Sequence, residues 1–147
     1  MISAVVDGKL IADALQVGGD LYMYSDGENK AAFKAVHLRG AKVAGQIAMM
    51  GATFDSGFYA VSLEVGEILV MRDAHCADSV NMRGSHVGGV LDVRGATLAG
   101  LDLSGASIAA DLILGKPGHP VIWRGKNGGS GDLNLRNTHI SNLMDGG

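Results

Sequence analysis

The densest group of potential metal ligands is the segment RDAHCAD at residues 72–78, which contains Asp73, His75, Cys76 and Asp78. Thiolate, imidazole and carboxylate groups all bind zinc, but a structural zinc site needs about four ligands that converge on one ion. The sequence repeat described below assigns Cys76 to the core and His75 to the outside of the fold. We therefore expect a buried structural thiol here and no metal site.

The histidines do not form a catalytic arrangement in the sequence. Nucleophilic or acid–base catalysis needs a base within hydrogen-bond reach of a nucleophile and of an orienting group. The repeat places His86 beside Ser107 on one outer column, which is a contact without a carboxylate. We therefore predict no catalytic residues, no cofactor and no enzymatic activity. The five histidines are His37, His75, His86, His119 and His139.

Two other motifs have only a partial likeness to anion-binding sequences. The segment GKNGGSG at 125–131 is glycine-rich and contains Lys126, but it lacks the phosphate-loop spacing and no helix follows it. We interpret it as a surface loop. Arg39, Arg83 and Arg124 are assigned to one corner column, where we expect solvated charges that support solubility.

Composition and charge indicate the kind of domain that positions these residues. The 147 residues carry a net charge of −3 and include 23 glycines but only 2 prolines. A nucleic-acid-binding domain is normally basic, so nucleic acid is not an expected partner. The chain contains no run of about 20 apolar residues and no signal peptide, and its one cysteine cannot form an internal disulfide. We expect a cytoplasmic protein without membrane association.

An internal repeat of about 22 residues organises the chain. Four successive units align in eight columns of apolar or small residues, and partial units flank them. In unit order the columns are Ala31, Ala52, Ala74, Ala96; Phe33, Phe54, Cys76, Leu98; Val36, Phe58, Val80, Leu101; Leu38, Ala60, Met82, Leu103; Ala41, Leu63, Ser85, Ala106; Val43, Val65, Val87, Ile108; Ile47, Ile68, Leu91, Leu112; and Met49, Val70, Val93, Leu114.

Within each unit, pairs of apolar positions are separated by one residue, which is typical of strands and not of an amphipathic helix. The sequence predicts an all-β fold, a right-handed parallel β-helix with rungs of about 20–22 residues and four short strands per rung. We expect one domain over 1–147, with 1–14 as an N-terminal cap and 116–131 as a loop insertion. Glycines should occupy the corners, where a positive φ is needed: Gly40, Gly51, Gly84, Gly95 and Gly105.

The pentads ATLAG, LDLSG and ASIAA at 96–110 give the chain a family resemblance. Over roughly residues 15–143 it resembles the pentapeptide-repeat family, and within it the bacterial proteins with repeated GDLxLxGA elements. The resemblance implies a right-handed quadrilateral β-helix with an aliphatic residue at the centre of each pentad. Some members of that family mimic DNA and bind type II topoisomerases, so the resemblance adds this role as an alternative function.

The outward positions of the fourth strand form a predicted contact surface. Their apolar character suggests either a protein partner, self-association as a homodimer, or cover by the segment 1–14. The sequence favours a non-catalytic binding or scaffolding module with an unknown ligand. Besides DNA mimicry, an enzyme that acts on carbohydrate in a groove of the β-helix is a second alternative. The candidate interface residues are Tyr22, Tyr24, Met50, Leu69, Met71 and Ile113.

Overall fold

The computed structural model describes residues 5–25, 30–125 and 131–145. These residues form strands and turns without a helix, stacked as a parallel β-solenoid of about five turns. The predicted all-β solenoid is therefore confirmed. The strands are β1 (Val5–Ile11), β2 (Gln16–Val17), β3 (Leu21–Tyr22), β4 (Ala32–His37), β5 (Lys42–Val43), β6 (Ile47–Ala48), β7 (Thr53–Phe54), β8 (Phe58–Tyr59), β9 (Glu64–Val65), β10 (Leu69–Val70), β11 (His75–Asn81), β12 (His86–Val87), β13 (Leu91–Asp92), β14 (Thr97–Asp102), β15 (Ser107–Gly115), β16 (Ile122–Trp123), β17 (Asp132–Asn134) and β18 (His139–Asp145).

The strands form four faces, which we number in chain order around one turn. Each strand between the first and last turns pairs in parallel with the strands one turn before and one turn after it, so the hydrogen bonds run along the axis of the coil. The longer strands β4, β11 and β14 bend across the first and second faces. The first and second faces contain β1, β4, β7 with β8, β11, β14, and β16 with β17; the third contains β2, β5, β9, β12 and the first parts of β15 and β18; the fourth contains β3, β6, β10, β13 and the last parts of β15 and β18.

The register of the strands matches most of the repeat columns. On the first face Phe33, Phe54, Cys76 and Leu98 are successive partners. On the third face the same holds for the column that begins at Val43. The partners lie 21 or 22 residues apart, which confirms the length of the repeat.

The core is the narrow interior of the coil. A small residue precedes the larger inward residue of the first face, as in Ala52 followed by Phe54, and both are fully buried. Phe33 and Phe54 stack with their ring centroids 5.8 Å apart, and Phe58 contacts Phe54 at the same distance. On this face the small residue leaves room for the larger side chain beside it, whereas the fourth face buries two large residues of one strand, as with Leu112 and Leu114.

Two of the four corners are tight turns whose third residue has a positive φ. In the turn between the second and third faces, the Ala41 N–H donates a hydrogen bond to the Leu38 carbonyl at 3.0 Å, and Gly40 between them has φ 66°. An L-residue is disfavoured there, which explains the repeated glycine. The predicted corner glycines are confirmed, and four non-glycine residues also adopt this conformation. These are Ala14, Ser62, Asp73 and Asn137.

The two segments predicted to lie outside the regular coil are partly incorporated into it. Residues 5–11 form β1, which pairs with β4 and builds the first turn. Residues 116–119 form a tight turn, closed by a 2.9 Å hydrogen bond from the His119 N–H to the Lys116 carbonyl. The chain then returns to the first face as β16. The part of the predicted loop at 126–130 lies outside the described residues.

Candidate functional site

Two of the six candidate interface residues do not lie on the surface. Leu69 and Met71 are fully buried in the core, and Leu69 pairs with Ile47 and Leu91 on the adjacent turns. The predicted placement of Leu69 in the outward column and of Met71 at the adjoining corner is wrong. On each of the first five turns the fourth-face inward residue comes four positions after the third-face inward residue. The inward column of the fourth face therefore contains Leu69, and the preceding residue, Ile68, points outward.

The same correction shifts Val70 to the outward column of the fourth face. The complete column is Tyr22, Ala48, Val70, Asp92, Ile113 and Met144. Ala48 and Val70 are largely covered by their neighbours, although they point away from the core. The apolar stripe is therefore less exposed than expected, and the charged residue Asp92 interrupts it.

The other four candidates, Tyr22, Tyr24, Met50 and Ile113, are half-buried on or beside this face. The Tyr22 and Tyr24 rings meet edge to face with centroids 6.0 Å apart. The Tyr22 hydroxyl donates a 2.7 Å hydrogen bond to Asp20 Oδ2, which lowers the pKa of Asp20 and raises the pKa of Tyr22. The rings at the N-terminal end of the stripe are thus held in place.

Asp92 is the charged residue that interrupts the stripe, and it lies between two arginines. Its side chain is only 4% exposed. The Arg94 guanidinium donates to both carboxylate oxygens, from Nε at 2.9 Å and from Nη2 at 2.6 Å. Arg72 Nε lies 3.0 Å from Asp92 Oδ2 on the other side. Burial works to raise the pKa of Asp92, but the hydrogen bonds and charges of the arginines lower it below its ordinary value.

The tight turn at 116–119 places two more polar side chains, those of Lys116 and His119, beside this group. His119 Nε2 lies 2.9 Å from Asp73 Oδ1. The side chains of Lys116, Asp73 and His119 line one small cavity. Gly95 lies directly beneath Asp73 and His119, so a methyl group on Gly95 would overlap with both side chains. These three side chains lie beside the three of the Asp92 group, so three consecutive turns contribute to one polar cluster of six side chains.

We name this group the corner cluster; sequence reasoning missed it. It contains residues from the outer column of the fourth face, from the corner that leads to the first face, and from the tight turn. The spacing of 22 residues between Arg72 and Arg94, with Asp92 on the outward column beside them, was a signal that could have been found. The corner cluster comprises Arg72, Asp73, Asp92, Arg94, Lys116 and His119.

The residues of the segment 72–78 diverge as the repeat predicts. Cys76 is buried and His75 is exposed. Burial raises the pKa of the Cys76 thiol to about 11, so the thiolate that would bind a metal is disfavoured. Within residues 5–25, 30–125 and 131–145, no three His, Cys, Asp or Glu side chains come together as metal ligands.

The remaining sequence motifs lie apart from the corner cluster. His86 and Ser107 are partners on the third face, as expected from their column. Arg39 and Arg83 share the corner between the second and third faces with Ser104 of the next turn, as expected. The residue that follows Ser104 in this column is Arg136, whose carbonyl accepts a 2.8 Å hydrogen bond from the Gly105 N–H, whereas Arg124 follows β16 on the first face. The assignment of Arg124 to that corner is therefore wrong. Lys126 lies outside the described residues.

The last turn leaves apolar residues of the core columns exposed. Leu143 is 53% exposed and Leu133 is 36% exposed, whereas their partners one turn earlier, Leu112 and Leu101, are buried. No strand in the described part of the chain pairs with the far edges of β16, β17 and β18. We name these three strands and their exposed leucines the terminal rung.

The chain matches no family model, no curated protein and no solved structure. None of the described residues form a helix that is long and apolar enough to cross a membrane. The functional argument therefore depends on the geometry of the chain itself.

Proposed function

We propose that the chain is a non-catalytic binding and scaffolding module that associates with a second copy through the terminal rung. The observation that carries this proposal is the exposure of core-column leucines next to strand edges that pair with no other strand among the described residues. Free strand edges pair readily with other strands, and exposed apolar residues favour burial in the same contact.

A two-fold symmetric pair satisfies both requirements of the terminal rung. In such a pair each copy presents the same surface to the other, so β18 meets its counterpart in the antiparallel direction. Leu143 and Met144 of one copy then face apolar residues of the other. The fourth face offers less support for association, because Asp92 and its arginines interrupt its apolar stripe.

The resemblance to pentapeptide-repeat proteins belongs to this proposal. Its support is the coil with four short strands per turn and a core of apolar residues that face inward from these strands. We infer a divergent relative that uses the scaffold for contact between proteins. Roles as a DNA mimic or as an enzyme acting on carbohydrate stay predictions from the sequence.

Light scattering over a range of protein concentrations tests the association. We expect the wild-type protein to be a dimer and the Leu143→Lys variant to be a monomer with an unchanged circular dichroism spectrum. The matched variant Ile113→Lys, on the fourth face one turn earlier, should remain a dimer. A wild-type monomer at every concentration, or loss of the dimer only in Ile113→Lys, would contradict the proposal.

A further inference from the structure

The corner cluster encloses a small open cavity on the edge between the fourth and first faces. The cavity has a volume of about 150 Å³ and is lined by Arg72, Asp73, Arg94, Lys116 and His119. Pockets for drug-sized organic ligands have volumes of about 300–1,000 Å³. The cavity is therefore suited to a single small ion or to one terminal group of a larger molecule.

The charges around the cavity favour an anion. Three cationic side chains, those of Arg72, Arg94 and Lys116, face two carboxylates, those of Asp73 and Asp92. One positive charge is in excess even when the histidine is neutral, on a chain whose net charge is −3. A local positive potential on an acidic protein concentrates small anions at that place.

The arginines have hydrogen-bond donors left over for a ligand. Arg94 donates hydrogen bonds from Nε and Nη2 to Asp92. Arg72 forms an ion pair with the same carboxylate, with its Nε 3.0 Å from Asp92 Oδ2. Within the described chain the two Nη groups of Arg72 have no acceptor, and neither does the ammonium group of Lys116. Several free N–H groups that converge from one side are the usual means of holding a tetrahedral oxyanion.

The carboxylates hold the cationic side chains in place and do not block the cavity. Asp92 fixes both guanidinium groups, so the entropic cost of ordering them has already been met when the ligand arrives. Asp73 Oδ1 lies 2.9 Å from His119 Nε2, so one oxygen of this carboxylate is directed toward the imidazole ring. Gly95 permits this pair to lie close to the backbone of the corner.

We propose that the cavity of the corner cluster binds one phosphate-sized oxyanion, either free phosphate or the terminal phosphoryl group of a small molecule. Arg72 and Lys116 supply the free donors, and Arg94 contributes the second guanidinium. This inference does not depend on the association through the terminal rung, because none of these residues belongs to β16, β17 or β18.

A titration of the ¹⁵N-labelled protein with inorganic phosphate at constant ionic strength tests the proposal by nuclear magnetic resonance. We expect saturable shifts at the amides of Arg72, Arg94 and Lys116. The variants Arg72→Gln and Lys116→Gln should each weaken binding about tenfold or more, since each removes a charged donor. Lys42→Gln on the third face is the control, because Lys42 forms a salt bridge with Glu64 at the exposed surface and does not line the cavity.

The proposal is overturned if phosphate gives no saturable shifts, if the shifts occur elsewhere, or if the control weakens binding as much as the two variants. Lys116 is exposed, so its substitution leaves the fold intact and keeps the test decisive even if Arg72→Gln is unstable. Parallel titrations with sulfate and glycerol phosphate identify the source of the ligand. Equal affinities indicate a free oxyanion, and tighter binding of glycerol phosphate indicates a phosphorylated small molecule.

Discussion

Replacing Leu69 and Ile68 one at a time with alanine tests the register of the fourth face. Leu69 is fully buried between Ile47 and Leu91, whereas Ile68 is 38% exposed. Removal of a buried leucine costs about 2–5 kcal/mol, because transfer energy is lost and a cavity remains. The neighbours of Leu69 are held by backbone hydrogen bonds such as that from the Leu69 N–H to the Val90 carbonyl at 2.9 Å, so they cannot close the cavity.

We therefore expect Leu69→Ala to lower the free energy of unfolding by about 3 kcal/mol, within that range. Ile68→Ala should lower it by only about 1 kcal/mol, because part of that side chain is already in water. At this chain length each kcal/mol lowers Tm by about 2–4 °C, so the expected decreases are about 6–12 °C and about 2–4 °C. Thermal and urea unfolding followed by circular dichroism measure both. Equal destabilisation by the two substitutions would refute the register.

The other features of the core and of the corner cluster lead to three further predictions. Because burial raises the pKa of Cys76 to about 11, a thiol reagent should label it slowly in the folded protein and rapidly in denaturant; rapid labelling of the folded protein would show that the thiol is accessible. Gly66→Ala should destabilise the fold by about 1–3 kcal/mol, since the new methyl group would overlap with the Ala44 carbonyl one turn away, whereas Gly18→Ala, which meets nothing, should cost less than Gly66→Ala in the same urea unfolding assay. The pKa of Asp92 is lower in the folded than in the unfolded chain, so its stabilising contribution is present above its ordinary pKa and is lost as the pH falls through the lowered value. Asp92→Asn should therefore flatten the acid side of the curve of stability against pH, and an unchanged slope would count against the ion pairs.

The regular part of the fold could be predicted from sequence because each inward position is constrained by its neighbours on two adjacent turns. A column such as the one from Val43 to Ile108 has to remain apolar, since every member is buried against the next. The misplacement of Leu69 shows the limit of this reasoning. Ile68 and Leu69 are both aliphatic and adjacent, so side-chain type does not distinguish them, and only the constant spacing along the chain does.

The corner cluster could not be predicted in the same way because its members belong to no single column. Arg72 and Arg94 occupy a corner, and Asp92 occupies an outward position where other turns have apolar residues. Lys116 and His119 reach the cavity only through a tight turn that has no counterpart in the other repeats. Their proximity follows from the path of one irregular segment, which periodicity does not determine.

The parallel stacking of the turns also gives the coil the properties of a molecular spacer. Strands lie about 4.8 Å apart along the hydrogen-bonding direction, so five turns separate the first and last strands by about 24 Å. Deleting one repeat of 22 residues, such as 65–86, would join equivalent positions of two turns and keep every remaining column in register. The distance between the two ends would then shorten by one strand spacing while both ends kept their orientation around the axis. A chain built in this way can adjust the separation of whatever it holds in uniform steps, by gaining or losing whole repeats.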